Sequence, residues 1–461
     1  MAKGASISGF PEWLPSERVV EQRVIDTLRE VFELNGFIGI ETRAVEQGSS
    51  LLKKGETSKE IYLLSRLQEV GHESDTPIED RLGLHFDLTV PLSRYVVEHS
   101  GDLAFPFKRW QIQKVWRGER PQEGRFREFV QADIDVIGAG DLPDHYEVEL
   151  PLVMVSALEE LRAYGLPKAT VHANNRKLSE GFYRGLGLTD VEGVLREIDK
   201  LDKIGADKVR ELLTDTCGVT GENADEILRF IACPGTSADK LAFLEQYRGR
   251  NETFDTGLDE LRTVVGYLPA FGVPEENFEL DLTIARGLDY YTGTVYETVL
   301  LDHPEVGSIC SGGRYDDLAG YYTNKSLPGV GISIGLTRLF YILQEQNMIS
   351  DAVLTAPADV LILPMTDDLS AAVALASELR AGGLRVQIYS EKKKFKAKIG
   401  YADKLGIPFV IFLGEDEVAQ HVCALKNMAT GVQEAVTSAA ALETIRAEIA
   451  RRSAGAILRE P

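Results

Sequence analysis

The sequence predicts two fold classes in one chain: an α+β unit over the first two thirds and an α/β unit over the last hundred residues. Three observations support this prediction. Short strand patterns separated by a polar loop occupy residues 84–140, a charged helical stretch occupies residues 190–265, and strands alternate with helices after residue 359. A chain of 461 residues is long enough for two to four domains.

The N-terminal part begins with a helix and continues with strands. The helix is predicted over residues 16–36, where apolar residues recur at helical spacing, Ser16 can cap the start and Gly36 can end it. Strands are predicted at residues 37–42, 84–90, 108–116 and 129–137, and a helix at residues 144–163. The polar stretch 117–127 separates the last two strands, so we expect them to be antiparallel partners.

The middle of the chain reads as a helical insertion at residues 190–265, because it is charged, helical in period and poor in strand formers. Strands are then predicted at residues 278–284 and 294–299, followed by a glycine-rich turn at residues 311–313. A further strand, residues 329–335, runs into a helix that ends near residue 346.

The C-terminal part has the alternation of a small α/β domain with a largely parallel sheet. Residues 347–358 look like a linker. The predicted strands are residues 360–363, 384–389 and 409–413, and the predicted helices are residues 369–380 and 394–405.

The composition is acidic, with 50 Lys and Arg against 72 Asp and Glu and a net charge of −22. Taken alone, this argues against a nucleic-acid-binding protein. Because phosphate is attracted locally, over a Debye length of about 8 Å, local basic patches decide more than the total.

The four cysteines form no Cys-x-x-Cys pair, so we expect free thiols and no zinc site. No apolar run approaches the roughly 20 residues that span a bilayer. We therefore expect a cytoplasmic protein without a membrane segment.

Residues 108–127 contain seven basic and two acidic residues in this acidic chain. A guanidinium is a planar fork that matches phosphate oxygens. Arg117 at a strand end and Phe129 nearby would suit a nucleotide, with charge for the phosphates and a ring for the base. A solvated basic loop explains the pattern equally well.

Two predicted strands have a polar face. Alternation puts Asp87 and Thr89 on one face, where a carboxylate and a hydroxyl could hold an ammonium group. Gln131, Asp133 and Asp135 share another face, which is costly to bury unless it is paired or holds a ligand. Solvent-facing strands are the alternative in both cases.

Three glycine-containing segments complete the set. Arg286 precedes Tyr290 and Tyr291, which could surround one pocket or pack in the core. Residues 311–315 could let a ligand approach the backbone or form a plain turn. Residues 329–338 lead into a helix with Arg338 in its first turn, and their glycines could equally serve close strand packing. The chain has neither a P-loop nor a Rossmann glycine motif.

In this order, the segments resemble the motifs of class II aminoacyl-tRNA synthetases, and specifically the histidyl-tRNA synthetase family. Residues 117–129 are similar to the second class-defining motif and residues 329–338 to the third. Residues 286–291 and 311–315 resemble two histidine-specific signatures. The tail resembles the anticodon-binding domain shared by the histidine, proline, threonine and glycine enzymes, so the resemblance covers nearly the whole chain.

The resemblance implies a catalytic domain over residues 1–346, with an antiparallel sheet, flanking helices and a helical insertion at residues 190–270. A linker at residues 347–358 would join it to an α/β anticodon-binding domain at residues 359–461. The implied partners are L-histidine, ATP with Mg²⁺, histidine tRNA and a second copy of the chain. Neither zinc nor an organic cofactor is expected.

The resemblance also implies a role for each motif. Arg117 and Arg286 would grip the α-phosphate as the catalytic residues, Phe129 would stack on adenine, and Asp135 and Tyr291 would address the two imidazole nitrogens. The residues expected to bind histidine are Asp87, Leu88, Thr89, Arg117, Gln131, Asp135, Arg286, Tyr290 and Tyr291. The residues expected to bind ATP are Arg117, Glu119, Arg125, Phe129 and Arg338.

One position departs from the family pattern. Arg43 stands where the first class II motif carries a proline. That motif mainly serves the dimer interface, so the departure concerns the interface and not the chemistry.

Five lysines fall within residues 392–398 of the acidic chain. A solvated helix start is one interpretation, and contact with tRNA phosphates is the other. The lysines are Lys392, Lys393, Lys394, Lys396 and Lys398.

The alternative function is that of a regulatory paralogue of this family, which partners the short ATP phosphoribosyltransferase in histidine biosynthesis. Such paralogues generally lack the tail and have eroded signatures. Here residues 359–461, Arg117, Arg286 and Arg338 are all present. The sequence therefore favours the enzyme.

Overall fold

The computed structural model describes residues 6–52, 60–69, 76–121, 124–284, 291–316, 318–350 and 353–457. The chain forms two compact units. The first consists of Met1–Pro11, Ile25–Leu161 and Leu166–Asn347, and the second of Glu12–Val24, Arg162–Gly165 and Met348–Pro461.

Helices and strands alternate irregularly up to residue 345. In chain order they are α1 (Pro15–Leu34), β1 (Ile38–Gly39), β2 (Val45–Gln47), α2 (Gly48–Leu51), β3 (Leu82–Leu84), α3 (Thr89–Glu98), β4 (Phe107–Trp116), β5 (Glu128–Ile137), α4 (Tyr146–Leu161), β6 (Ala169–Asn175), α5 (Arg176–Gly185), α6 (Val191–Ile198), α7 (Leu201–Ile204), α8 (Ala206–Asp215), α9 (Gly221–Ile231), α10 (Ser237–Leu244), α11 (Glu252–Tyr267), β7 (Phe278–Leu280), β8 (Thr294–Leu300), β9 (Cys310–Tyr315), β10 (Gly329–Gly335) and α12 (Leu336–Glu345).

Within the described part of the chain, eight of these strands form one sheet in the order β1-β4-β5-β10-β9-β8-β6-β7. The five central pairings are antiparallel, and the pairings at the two edges, β1 with β4 and β6 with β7, are parallel. The predicted antiparallel sheet is therefore confirmed, and so is the pairing of β4 with β5 across the polar loop.

The segment 190–265 is helical, as its charge and period predict, and consists of α6 to α11. Side chains define several of these helix starts: the Asp190, Thr220 and Asn251 side chains each accept a backbone N–H of the first turn. Such caps satisfy donors that have no partner inside the helix.

The prediction of a strand over residues 84–90 is wrong. β3 ends at Leu84, and Thr89 is the first residue of α3. The Asp87 Oδ1 accepts a hydrogen bond from the Val90 amide at 3.0 Å, so Asp87 caps the helix instead of extending a strand. Asp87 and Thr89 therefore do not share a strand face.

The glycine-rich turn predicted at residues 311–313 is also wrong, because these residues lie in the middle of β9. The two glycines allow close strand packing: a Cβ at Gly312 would lie 2.1 Å from the Gly331 carbonyl oxygen, and one at Gly313 would lie 2.6 Å from the Thr294 carbonyl oxygen. Such contacts are impossible for any residue with a side chain.

Three element ends also differ from the predictions. The first helix begins at Pro15, so Ser16 lies inside it, although Gly36, with φ +77°, follows its end as expected. The strand predicted over residues 37–42 is reduced to Ile38–Gly39, and β7 stops at Leu280.

The second unit contains an α/β sheet. Its elements are β11 (Val360–Pro364), α13 (Ser370–Ala381), β12 (Val386–Ile388), α14 (Phe395–Lys404), β13 (Phe409–Leu413), α15 (Glu415–Ala419), β14 (Cys423–Asn427), β15 (Gln433–Val436) and α16 (Ser438–Ile457). β11 pairs in parallel with β12 and β13, whereas β13, β14 and β15 are antiparallel, so the sheet is mixed instead of largely parallel.

Both faces of this second sheet are covered by apolar residues. One face packs against α13 and α16, and the other against α14. The burial of both faces explains why β11 and β13 are continuous apolar runs.

Candidate active site

A cavity of about 460 Å³ lies on the large sheet of the first unit, where β5, β8, β9 and β10 run side by side. The loop after β4 and the first turn of α12 complete its wall. The lining residues that matter for the chemistry are Arg117, Glu119, Arg125, Phe129, Gln131, Tyr291, Glu297, Ser333 and Arg338.

The arginines of the loop after β4 reach the cavity with little restraint. The Arg117 Nε donates to the Phe86 carbonyl oxygen at 3.0 Å, which orients the guanidinium. The Glu119 carboxylate is only loosely paired, at 3.8 Å from Arg117 and 3.7 Å from Arg125. The Arg125 side chain is 58% exposed. This end of the cavity is therefore a cationic surface that an anion can enter.

An aromatic ring lies beside these cations. The Arg117 guanidinium lies 5.1 Å from the centre of the Phe129 ring. Arg338, on α12, is anchored by hydrogen bonds to the carbonyl oxygens of Ser308 and Val306, at 3.1 and 2.6 Å. Two arginines and an aromatic ring around one cavity suit a nucleotide with its phosphates.

Buried carboxylates lie on the same sheet. β5 carries Gln131, Asp133 and Asp135, all of them buried. The Gln131 Nε2 donates to the Ser333 hydroxyl at 2.8 Å. The Asp135 Oδ2 lies 2.6 Å from the Arg109 Nη2, and the Tyr315 hydroxyl donates to its Oδ1 at 2.5 Å. The polar face predicted for this strand is therefore buried and largely paired.

Asp133 differs from its neighbours on this strand. Burial raises its pKa to about 7, the Arg109 guanidinium works against this shift, and the carboxylates of Asp135 and Asp87 add to it. Its Oδ1 accepts no hydrogen bond from any residue that the structure describes. The Asp87 carboxylate is thus close enough to Asp133 to affect its charge.

The Asp87 segment lies next to the base of the arginine loop, because Arg117 binds the carbonyl of the neighbouring Phe86. Asp87 is buried, Leu88 is buried in the core, and Thr89 opens α3. The structure thus brings these residues near Arg117 and Asp133 by a loop and a helix start, and not by the predicted strand.

Of the segment with the two tyrosines, only Tyr291 is described; Arg286 and Tyr290 lie outside the described residues. Tyr291 lines the cavity and its ring packs over Gly313, where a Cβ would lie 2.9 Å from it. The glycine of β9 therefore makes room for this tyrosine.

The neighbouring Arg314 serves the fold and not the cavity. Its guanidinium binds Glu147 at 2.8 Å and Asp316 at 2.9 Å, and it donates to the Leu142 carbonyl oxygen. Burial raises the pKa of Glu147, and Arg314 partly offsets this effect. This ion pair joins β9 to the start of α4.

Several residues at the site were given no individual role from sequence, although Tyr315 and Ser333 lie in the segments 311–315 and 329–338. Ser333 and Glu297 line the cavity, and Arg109 and Tyr315 hold Asp135, which lies on the same strand as the lining residue Gln131. Arg109 belongs to the basic run 108–127, but nothing in the run distinguishes it from the other basic residues, which are half-buried or exposed. Its role depends on the register that sets it opposite Asp135.

The lysine run of the second unit lies at the start of α14. Lys392, Lys393, Lys394 and Lys396 are exposed, and Lys398 is half-buried. Lys392 pairs with Asp367 at 2.9 Å. Cations are unfavourable at a helix N-terminus, so this placement does not serve the stability of the helix.

Among the residues that the structure describes, no group of three or more His, Cys, Asp or Glu side chains could hold a metal ion. Within the same residues, no helix combines the length and the apolar character needed to cross a membrane.

The Arg43 guanidinium, at the position that departs from the family pattern, lies 3.1 Å from the buried Glu46, which also binds Arg94 at 2.8 Å.

An antiparallel sheet with arginines and an aromatic ring around one cavity, together with a separate α/β unit, is the architecture that the resemblance to class II aminoacyl-tRNA synthetases implies. Comparison with known families supports this class. The model of the family described as histidyl-tRNA synthetase matches residues 9–339, and the anticodon binding domain model matches residues 359–448. The chain belongs to the histidyl-tRNA synthetase family.

Individual relatives agree with this assignment. The histidine–tRNA ligase of Bifidobacterium longum subsp. infantis is 66% identical over 94% of this chain and 96% of its own length. That of Clostridium tetani is 45% identical over 97% of this chain and 99% of its own. The crystal structure of histidyl-tRNA synthetase from Nostoc sp. PCC 7120 has a TM-score of 0.86 at 37% identity, covering 97% of this chain and all of that one.

The prediction of an enzyme of the histidine–tRNA ligase type is thus confirmed, and the regulatory alternative is not favoured. A structure described as an ATP phosphoribosyltransferase regulatory subunit/histidyl-tRNA synthetase from Bacillus halodurans has a TM-score of 0.72, over 90% of this chain and all of that one. Its identity to this chain is only 20%, so that likeness concerns the fold alone.

Proposed function

We propose that this chain attaches L-histidine to histidine tRNA in two steps and uses ATP with Mg²⁺. In the first step, a carboxylate oxygen of histidine attacks the α-phosphorus of ATP. A P–O bond forms to give histidyl-adenylate, and the bond to the leaving pyrophosphate breaks. In the second step, a hydroxyl of the terminal tRNA adenosine attacks the histidyl carbonyl, and AMP leaves.

One observation supports this proposal above the others: a single cavity has partly exposed arginines on one side and residues of a buried polar strand on the other. Arg117, Arg125 and Arg338 provide positive charge for a triphosphate, and Phe129 provides a surface for adenine. Gln131 lies farther along the same wall, beside Ser333. An anionic nucleotide and a small amino acid therefore fit side by side.

The individual roles follow the chemistry of each group. Arg117 and Arg286 would bind the α-phosphate and neutralise the charge that builds up during transfer. Glu119 would move from its loose contacts with Arg117 and Arg125 to the adenine amino group or the ribose. Magnesium would enter with ATP as part of the substrate and would neutralise phosphate charge.

The histidine would lie over β5. Asp87, Thr89 and Gln131 would hold its α-amino group, with Leu88 packed beneath them. Asp135 and Tyr291 would bind the imidazole nitrogens, and Tyr290 would line the pocket. Hydrogen bonds to both nitrogens would reject analogues, because an analogue would leave buried polar groups unpaired.

The proposal extends to organisation and location. Residues 1–346 would be the catalytic domain, with the insertion at residues 190–270 inside it, and residues 359–461 would bind the anticodon arm after the linker 347–358. The lysines of residues 392–398 would contact tRNA phosphates. The enzyme would act as a homodimer in the cytoplasm.

The test is histidine-dependent ATP–pyrophosphate exchange, followed by charging of histidine tRNA. We expect exchange with L-histidine and transfer of the histidyl group to that tRNA. Absence of exchange with histidine would reject the proposal.

A further inference from the structure

Arg109 is the third residue of β4 and has no exposed surface. Its Nη2 lies 2.6 Å from the Asp135 Oδ2 and 3.9 Å from the Asp133 Oδ2. The contacts are ion pairs without well-aligned hydrogen bonds, and its Nε and Nη1 have no hydrogen-bond partner among the described residues. Burying a guanidinium with so few partners is costly, so stability alone does not account for it.

The Asp135 carboxylate that Arg109 contacts is held from a second side. The Tyr315 hydroxyl donates to its Oδ1 at 2.5 Å. Two glycines of β10 make room for this pair: a Cβ at Gly331 would lie 2.0 Å from the Asp135 Oδ1, and one at Gly329 would lie 2.3 Å from the Tyr315 ring. Four positions on three strands thus fix the orientation of one carboxylate.

The neighbouring carboxylate of Asp133 makes Arg109 necessary for the charge of Asp135. Asp133 is two residues before Asp135 on the same strand face and is as deeply buried. Two desolvated carboxylates at neighbouring positions of one strand face repel each other when both are charged, so one of them tends to take up a proton. The guanidinium lies nearer to Asp135, so its field keeps that carboxylate charged and leaves Asp133 as the group that takes the proton.

We propose that Arg109 is a positioning residue for amino-acid selection: it keeps the Asp135 carboxylate ionised and oriented to accept an N–H of the substrate imidazole. This inference rests on the proposed function, in which Asp135 binds the imidazole. Arg109 itself touches neither histidine nor ATP. Its loss should therefore weaken histidine binding and leave nucleotide binding intact.

The experiment measures the KM values for histidine and for ATP separately, by ATP–pyrophosphate exchange with the full chain. The variants are Arg109→Lys, which keeps the charge but changes the geometry, and Arg109→Met. We expect the histidine KM to rise tenfold or more, and more in Arg109→Met than in Arg109→Lys, with the ATP KM within twofold of wild type. Lys108→Met is the matched control, since Lys108 precedes Arg109 on β4 and pairs with Glu149; it should change neither KM.

Tyr315→Phe keeps the test decisive if the Arg109 variants do not fold. It removes one hydrogen bond to Asp135 and keeps Arg109, so we expect a rise of about threefold in the histidine KM alone. An unchanged histidine KM in folded Arg109 variants, an equal rise of both KM values, or an unaffected Tyr315→Phe would overturn the inference. Absence of histidine-dependent exchange in the wild-type protein would instead reject the proposed function.

Discussion

The arginine end of the cavity and the buried carboxylates of β5, here called the carboxylate end, are built differently. At the carboxylate end, Arg109 and Asp135 are almost fully buried and lie 2.6 Å apart. At the arginine end, Arg125 is 58% exposed and lies 3.7 Å from its acidic partner Glu119. Exposed pairs of this kind contribute about 0–1 kcal/mol, so a phosphate can displace Glu119 at little cost. A buried pair cannot exchange partners in this way.

This difference separates selection from catalysis. The surface that is proposed to read the imidazole is fixed before any substrate arrives, as a selective site requires. The side chains that are proposed to hold the triphosphate make only loose contacts with one another, and they would reach their final positions when ATP binds. Mutations at the two ends should therefore change different kinetic constants.

The largest effect is expected at the arginine end. Arg117→Ala should cut histidine-dependent exchange by ~10² or more, the usual scale for one preorganised donor to a transition state. The same is expected of Arg286→Ala, although Arg286 lies outside the described residues. The rate constant of exchange should fall more than the histidine KM rises. Retained exchange with loss of tRNA charging would instead assign the arginine a role toward tRNA.

A smaller effect of a different kind is expected at the carboxylate end. Asp135→Asn keeps the shape but removes the charge, and a hydrogen bond to a charged group contributes about 1.5–3 kcal/mol. The histidine KM should rise at least tenfold, with the ATP KM unchanged, in exchange assays in which each substrate is varied in turn. Equal changes in both constants would remove the distinction between the two ends.

The second unit offers a comparison between the residues just before α14 and the last residue of that helix. Lys393→Ala combined with Lys394→Ala should raise the tRNA KM several-fold and leave exchange unchanged. The slope of log K against log salt should become shallower by roughly 0.7–0.9 for each tRNA phosphate that the variant no longer binds. Lys404→Ala, at the C-terminal end of α14, is the control, and it removes one positive charge where the double variant removes two. An unchanged salt dependence in the double variant would contradict the tRNA role.

The smallest effect is a pH dependence of stability at Asp133. Burial holds its pKa at about 7 in the folded protein, against 3.8 for an unperturbed aspartate. Between these values the folded protein keeps a proton that the unfolded chain releases, so this group makes the free energy of unfolding fall as pH rises. Asp133→Asn should therefore gain stability relative to wild type from about pH 4 to 7.

Urea unfolding of the wild-type protein and Asp133→Asn at a series of pH values measures this difference. A difference between the two proteins that does not change with pH would show that Asp133 ionises normally.

The two ends also differ in how far they could be predicted from sequence. Arg117 and Phe129 could be predicted because a basic loop between two alternating strands is a local pattern, and β4 and β5 form as predicted. The prediction that Asp87 and Thr89 share a strand face is wrong, because they lie in a loop and at a helix start. Their alternation is the same in a strand and in a capped helix start, and only the bond from the Val90 amide to Asp87 decides between them.

The carboxylate end depends on contacts between distant segments. The glycines of residues 311–313 predict a turn when the sequence is considered alone. They belong to a strand because β8 and β10 pair with it on either side, and these pairings join distant segments. Arg109 does not stand out in the sequence because its importance arises from the register with Asp135 on β5. Sequence patterns predict the elements well, but they do not contain the distances between them.

The most direct test of the central claim is ATP–pyrophosphate exchange by the wild-type protein with each amino acid in turn. A buried, charged acceptor that is fixed before substrate binds should give exchange with L-histidine and only background exchange with the others. Comparable exchange with another amino acid, or none with histidine, would contradict both the proposed function and the role assigned to the carboxylate end.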